Sequence, residues 1–365
     1  MKWEGKQVLF SAADLQVLMQ ARFRPDEVPD MEEVKEGLPP LWSPLSYTLW
    51  KCHGETSRKN LWRQHREALL MAKSGSGYYH HMLVRKNGGS GVRRISVPCY
   101  ELRDHQRFIY KNLLSRLPLS PRACAYRKGV PLRRCAEPHC GAEVLVHLDI
   151  RDFFPSITEE KVSFALHRAT GYEEELCDFL AGLCCENGRL PQGAVTSPAL
   201  SNLAMAGMDG TFGAMAAMLG FTYTRYADDI YLSSSDRSAD AARIVKLARD
   251  FLRSEGFELN RDKTRIIRQG RHMAVLGLSV NEKVQVSRRY RREVRQKLHY
   301  LKRYGADAQG VQEAGGQEPY ALHLLGKVGY ILQVNPMDQQ ALRARLELLT
   351  GLHRLHRGMP FWWSA

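Results

Sequence analysis

Two adjacent carboxylates, Asp228 and Asp229, stand between two strand-like runs in YADDIYLSSS, Tyr226 to Ser235. The flanks, Phe221 to Arg225 and Ile230 to Ser234, alternate and are β-branched or aromatic, which predicts a β-hairpin with the acids at its tip. Like charges side by side repel, and a divalent cation is the usual remedy. For a bare Asp-Asp pair a solvated surface turn is the default. Two other segments override that default.

The first is HLDIRDFFPSI, His147 to Ile157. Val144 to Ile150 reads as a short buried strand with one acid, Asp149, near its end, and Pro155 stops it. Asp152 or Ser156 as the cap of a following helix accounts for those two residues but not for Asp149. An acid at the end of a buried strand is out of place unless it binds something. Beside Asp228, Asp149 would complete the separated carboxylates that hold two Mg²⁺ ions for in-line nucleotidyl transfer. The second segment is RLPQGAVTSPALSNLAM, Arg189 to Met205. There a turn at Gln192 and Gly193 leads through Ser197 and Pro198 into an apolar helix expected from about Ala199.

In this order, LDIRDFF, LPQGAVTSPALSN, YADD and the lysine-bearing LNRDKTR resemble the palm of reverse transcriptases, within the bacterial retron and group II intron-like branch. The resemblance covers roughly residues 93–335. It implies an α+β, right-hand polymerase fold with fingers, an antiparallel-sheet palm and a helical thumb. It also implies an RNA-directed DNA polymerase acting on dNTP substrates. Asp149, Asp228 and Asp229 match the catalytic acids. Asp149 and Asp228 would ligate both Mg²⁺ ions, Asp229 would be more peripheral, and Ile150 joins the candidate metal-binding set. Phe154 matches the aromatic that excludes a 2′-hydroxyl, so deoxynucleotides are expected. Gln192, Gly193 and Tyr226 match the segments at the incoming nucleotide. Lys263 matches a lysine that protonates the pyrophosphate leaving group, a role worth about 10²- to 10⁴-fold.

Upstream, GVRRISVPCYELRDHQRFIYKNLLSRL reads as a strand ending at Pro98 and a helix from about Glu101. It resembles the fingers segment whose arginine grips the triphosphate. Arg93 or Arg94 would carry that contact, and alternation does not decide between them. The preceding Lys86–Gly91 is a Gly-rich tip suited to closing over a nucleotide.

Lys plus Arg exceed Asp plus Glu by 14 in the 365 residues, so a polyanionic partner is expected. With no apolar run near 20 residues and no signal peptide, the expectation is a soluble cytoplasmic protein and no membrane partner. Arg288, Arg291, Arg292, Arg295 and Arg303 recur at helical spacing among Tyr290, Leu298, Tyr300 and Leu301. That pattern is read as a thumb helix tracking a duplex backbone. The expected organisation is an N-terminal helical extension over 1–60, interleaved fingers and palm over 61–285, and a thumb over 286–365. Within the thumb, Asp307–Glu318 is read as a polar connection, with helix resuming near Pro319. Val275 to Asn281 is read as a short hairpin resembling the primer grip. Trp3, Trp42, Trp50 and Trp62 are read as core rather than RNA-stacking residues.

Cys177, Cys184 and Cys185 read as buried, reduced thiols. Cys124, Cys135, His139 and Cys140 lack the paired spacing of common zinc sites, so zinc is not the expected reading. Retron enzymes carry Asn-Ala-x-x-His and Val-Thr-Gly elements, and the matching positions here read CAEPH, Cys135 to His139, and VLG, Val275 to Gly277. A retron enzyme would bind its own structured non-coding RNA as template and primer and hold an RNA–DNA hybrid. It would make a branched RNA–DNA product, msDNA, and serve anti-phage defence with a separate effector protein. A stand-alone defence-associated or group II-like reverse transcriptase is the closest rival. A catalytically silent nucleic-acid-binding scaffold fits less well, since three carboxylates would repel a phosphate-rich ligand.

Overall fold

Serine and threonine side chains mark where the chain enters several of its helices, as capping chemistry requires. The computed structural model describes residues 38–39, 41–52, 57–85, 91–357, 359 and 361. Residues 86–90 of the expected fingertip, Trp3 and most of the expected N-terminal extension lie outside them. In chain order the elements begin with α1 (Pro44–Lys51), α2 (Arg58–Ser74), β1 (Tyr79–Arg85), β2 (Val92–Pro98), α3 (Tyr100–Asn112), α4 (Arg133–Ala136) and β3 (Val144–Asp149). They continue through α5 (Phe153–Ser156), α6 (Glu159–Thr170), α7 (Glu174–Cys184), α8 (Ser197–Ala204), α9 (Ala206–Met218), β4 (Thr222–Tyr226), β5 (Asp229–Ser234) and α10 (Ala241–Ser254). The last are β6 (Arg265–Arg268), β7 (Ala274–Val275), β8 (Leu278–Ser279), β9 (Gln285–Val286), α11 (Arg288–Tyr304), α12 (Gln309–Glu313), α13 (Gln317–Val334) and α14 (Gln339–His356).

The chain divides into two compact units. Met1–Tyr126, Ile150–Phe212 and Arg249–Asn260 form the first, and Arg127–Asp149, Gly213–Ala248 and Arg261–Ala365 form the second.

In the first unit Ser43 and Ser46 form a reciprocal capping box at α1, with Pro44 in the first turn. Helix α2 buries Leu61, His65, Ala68 and Met71, spaced for one helical face, and this turns Trp62 outward to 42% exposure. The core reading therefore fails for Trp62, while Trp50 packs edge-on against Phe108 at 4.6 Å. Helices α2 and α7 approach closely because Gly182 has no side chain, where a Cβ would lie 2.5 Å from the Ala72 carbonyl oxygen. Strands β1 and β2 pair antiparallel from Tyr79↔Pro98 to Arg85↔Val92.

In the second unit the main sheet has the order β4-β5-β3-β6. Strand β3 lies between β5 and β6 and is buried along nearly its whole length, whereas β6 forms an edge with Arg265 and Arg268 at its ends. A small sheet, β7-β8-β9, turns at Leu276 and Gly277, both left-handed at φ 52° and 76°, as a two-residue hairpin loop demands. Helices α11, α13 and α14 follow. Asp338 caps α14 by accepting from the Ala341 amide at 3.0 Å, and its other oxygen binds Arg291.

Two further expected features differ. Asp307–Glu318 is not an open connection: Val311 is buried and Gly310 admits the Tyr320 ring closely, so α12 forms within it and α13 resumes at Gln317. Asp152 occupies the N-cap position of α5 at φ 45° but makes no capping bond, since a capping residue needs extended backbone angles. Its carboxylate lies 3.6 Å from Arg151 Nε instead.

His139 is fully buried, with Nδ1 2.7 Å from Ser233 Oγ and Nε2 2.7 Å from Thr224 Oγ1, so one ring ties β4 to β5. Cys135 Sγ reaches the same Thr224 hydroxyl at 3.4 Å, and Cys140 Sγ donates to the Glu282 carbonyl at 3.1 Å. Burial lowers the His139 pKa to about 4, and burial also takes His105, bonded to Tyr47 Oη at 3.0 Å, to about 4. Both folded values lie below the unfolded value of about 6.5, so their stabilisation is complete above that pH and is lost as the pH falls toward the folded value. Urea unfolding should show wild type losing about 2 kcal/mol more than His139→Gln between pH 7 and pH 5. Parallel pH profiles would contradict the buried neutral imidazole.

Candidate active site

Strand register brings the acids together. In the β3–β5 ladder Asp149 is directly opposite Asp229, and in the β4–β5 ladder the last pair is Tyr226↔Asp229. That leaves Ala227 and Asp228 as the two residues of the turn. Ala227 is left-handed at φ 56°, a position of strain for a non-glycine residue. The fully buried Arg225 donates from Nη1 to the Ala227 carbonyl at 3.1 Å and braces the turn. Residues directly opposite on neighbouring strands have Cβ atoms about 5 Å apart. Three carboxylates are therefore gathered at one end of the sheet, with Asp149 almost fully buried.

Two of them hold cationic or polar partners. Lys263, in the short 3₁₀ turn Arg261–Lys263, donates from Nζ to Asp149 Oδ2 at 2.6 Å. His147 Nε2 lies 2.6 Å from Asp229 Oδ1. The bond to Asp149 raises the Lys263 pKa, and the charges of all three acids add to it, so the ammonium is held protonated. Burial raises the Asp228 pKa first, and the charges of Asp229 and Asp149 raise it further. A backbone hydrogen bond and the Lys263 charge oppose this only in part, so Asp228 carries a net share of the repulsion.

His147 and Tyr231 are supporting residues that the sequence reading missed. The two rings stack at 4.8 Å with planes 11° apart, and Tyr231 Oη accepts from the Leu276 amide at 3.2 Å in the β7–β8 turn. Period-two spacing was the available signal, because His147 shares a strand face with Asp149 and stands opposite Tyr231.

Oxygen-only donors with surplus negative charge suit a hard divalent cation such as Mg²⁺. Among the described residues no three His, Cys, Asp or Glu side chains are placed to share one metal ion, and Lys263 and His147 each contact one oxygen of Asp149 and Asp229. A cation would use the remaining carboxylate oxygens or displace the ammonium.

The other candidates lie in the first unit. Ile150 is buried and bridges to Leu259, and Phe154 is half-buried on α5. The Gln192 carbonyl accepts from the Ser96 amide of β2 at 2.8 Å. Gly193 has φ 125°, and a Cβ there would lie 2.8 Å from both the Ser96 oxygen and Ile95 Cγ2. The loop and strand β2 are joined through that contact. Helix α8 begins at Ser197, two residues earlier than expected, because Pro198 suits the first turn. On β2 the two arginines differ. Arg94 Nη2 lies 2.7 Å from His81 Nε2 and 3.8 Å from the buried Glu186 carboxylate, while Arg93 has no side-chain partner among the described residues.

Residues 84–280 match the family described as reverse transcriptase (RNA-dependent DNA polymerase). The Ec86 retron reverse transcriptase of Escherichia coli is 32% identical over 279 residues, covering 75% of this chain and 82% of that protein. The chain belongs to the retron-type reverse transcriptases. The Mx65 retron reverse transcriptase of Myxococcus xanthus is 35% identical over 73% of this chain, and the Mx162 protein of the same organism is 31% identical over 74%. The chain spans 64% and 60% of their lengths. Among solved structures, telomerase from Candida albicans with a telomeric RNA fragment aligns over 80% of this chain and 68% of its own at 10% identity. The TM-score of that alignment is 0.41. Family membership accords with the mixed helix-and-sheet architecture around the acids. Among the described residues no helix is long and apolar enough to cross a membrane.

Removing one of the three charges should relax the sheet end. In metal-free buffer, Asp228→Asn should raise the thermal midpoint by on the order of 2 °C. A lower midpoint for this variant would show that no unrelieved repulsion resides there.

Proposed function

We propose that this chain is an RNA-directed DNA polymerase that copies a structured non-coding RNA, acting as template and primer, from dNTP substrates. The register that sets Asp149 across from Asp229, with Asp228 at the adjoining turn, is the observation that carries the reading. Two Mg²⁺ ions bound by Asp149 and Asp228 would supply Lewis-acid activation of the attacking hydroxyl and charge neutralisation of the phosphates. Asp149 and Asp228 would hold those ions, with Asp229 more peripheral and kept in position by His147. Lys263, protonated and 2.6 Å from Asp149, is set to release its proton to the departing pyrophosphate once it leaves that carboxylate.

The guanidinium of Arg93, which has no side-chain partner among the described residues, suits the triphosphate, whereas Arg94 is engaged with His81 and Glu186. Phe154 gates the sugar, and Gln192, Gly193 and Tyr226 flank the nucleotide. Residues 61–285 act as fingers and palm. Residues 286–365 act as a thumb, in which Arg288, Arg292 and Arg295 of α11 line a polar groove of about 420 Å³ suited to a phosphate backbone of the RNA–DNA hybrid. Arg291 is partly committed to Asp338. As a retron enzyme the chain would make branched msDNA for anti-phage defence with a separate effector. The curated relatives, retron enzymes by name, support this over a stand-alone reverse transcriptase.

Primer extension on an RNA template with Mg²⁺ and dNTPs, comparing wild type with Asp228→Asn, tests the assignment. Incorporation should fall about a hundredfold or more in the variant. Equal incorporation would remove the acids from the chemistry. Co-purified RNA carrying DNA joined through a branched 5′ end is expected for the retron reading, and linear DNA alone would contradict it.

A further inference from the structure

A bulky side chain seldom occupies the left-handed backbone region, where its Cβ crowds the neighbouring carbonyl. Tyr126 does so at φ 59°, in a turn just after the buried Cys124 and Ala125. Asn202, fully buried on α8, donates from Nδ2 to the Ala125 carbonyl at 2.8 Å. The residue before Tyr126 is thereby tied to the helix that follows the Gln192-Gly193 loop. The Tyr126 ring stays 41% exposed and lies against Phe154, with centroids 6.3 Å apart and planes 41° apart.

Phe154 is half-buried on a short element. Its helix, α5, is a single turn of four residues, entered through the uncapped and likewise left-handed Asp152. The other ring against it among the described residues is Phe153, at 5.4 Å, itself buried and packed near Phe257 at 6.5 Å. Glycine or asparagine at 126 would relieve the backbone. Strained residues persist where their surroundings hold them, and they gather at functional positions. Here the side chain kept in the strained position is an aromatic that meets the residue assigned to the sugar.

We propose that Tyr126 is a positioning residue for Phe154: ring against ring, it fixes the aromatic that meets the 2′ position and so sets discrimination between deoxy- and ribonucleotides. The proposal rests on reading Phe154 as the sugar gate. It is the ring of Tyr126, not its hydroxyl, that does this. A tilted aromatic pair restricts the partner's rotamer as well as adding contact.

The test compares kcat/KM for a dNTP and the matching rNTP on an RNA template, using the full chain as wild type, Tyr126→Gly, Tyr126→Ala, Tyr126→Phe and Phe154→Ala. Phe154→Ala should admit ribonucleotides. Tyr126→Gly and Tyr126→Ala should lower discrimination by about two- to tenfold, the range set by loss of one aromatic pair. Tyr126→Phe should match wild type. Tyr126→Gly should also melt no lower than wild type, because it relieves the backbone, and a ring with a purely structural role would not combine that with lost discrimination. Wild-type discrimination in Tyr126→Gly, alongside relaxed discrimination in Phe154→Ala, would overturn the proposal alone. Unchanged discrimination in Phe154→Ala would overturn the sugar-gate reading and the proposal with it.

Discussion

Repulsion between three carboxylates at one end of a four-stranded sheet is the constraint that the second unit is organised to withstand. Two unit charges about 5 Å apart cost on the order of 3 kcal/mol at the effective dielectric of a protein surface. A free chain would avoid that by fraying the strand ends. Here β3 cannot fray easily, since Val144, Leu145, Val146 and Leu148 are buried and β5 and β6 flank it. The hydrophobic strand pays for the charges at its end, and Lys263 and His147 offset two of them.

The bracing extends outward in rings. His147 stacks on Tyr231, Tyr231 accepts from the Leu276 amide, and His139 joins Thr224 to Ser233 on the two strands of the hairpin. His139 and Leu276 fall in CAEPH and VLG, the two segments resembling retron elements. Both segments therefore have a physical task in this fold that needs no RNA: they hold the sheet that carries the acids. Cys135, where the family element has asparagine, reaches the same Thr224 hydroxyl as His139.

Much of the site was legible because strands advertise themselves locally. The alternation around Asp228 and Asp229 and the apolar run before Asp149 are short-range patterns, and the structure pairs those runs into one sheet. The double left-handed turn at Leu276 and Gly277 fits the short hairpin read from VLGLSVN. What escaped depends on distant partners. His147 looks like any strand residue until Asp229 and Tyr231 are beside it. The buried Glu186 beside Arg94 is likewise invisible in the alternation of the strand. The α12 helix was hidden because burial of Val311 outweighs a polar, Gly-rich composition.

The register of Asp149 against Asp229 exists, on this view, to gather oxygens for a divalent cation. Direct binding of Mn²⁺ to the full chain, followed by electron paramagnetic resonance without nucleotide or RNA, tests that separately from any activity. Wild type should bind Mn²⁺, and Asp149→Asn, folded by circular dichroism, should bind it roughly tenfold or more weakly for want of one ligand charge. Equal binding by the two proteins would contradict a cation site at the end of this sheet.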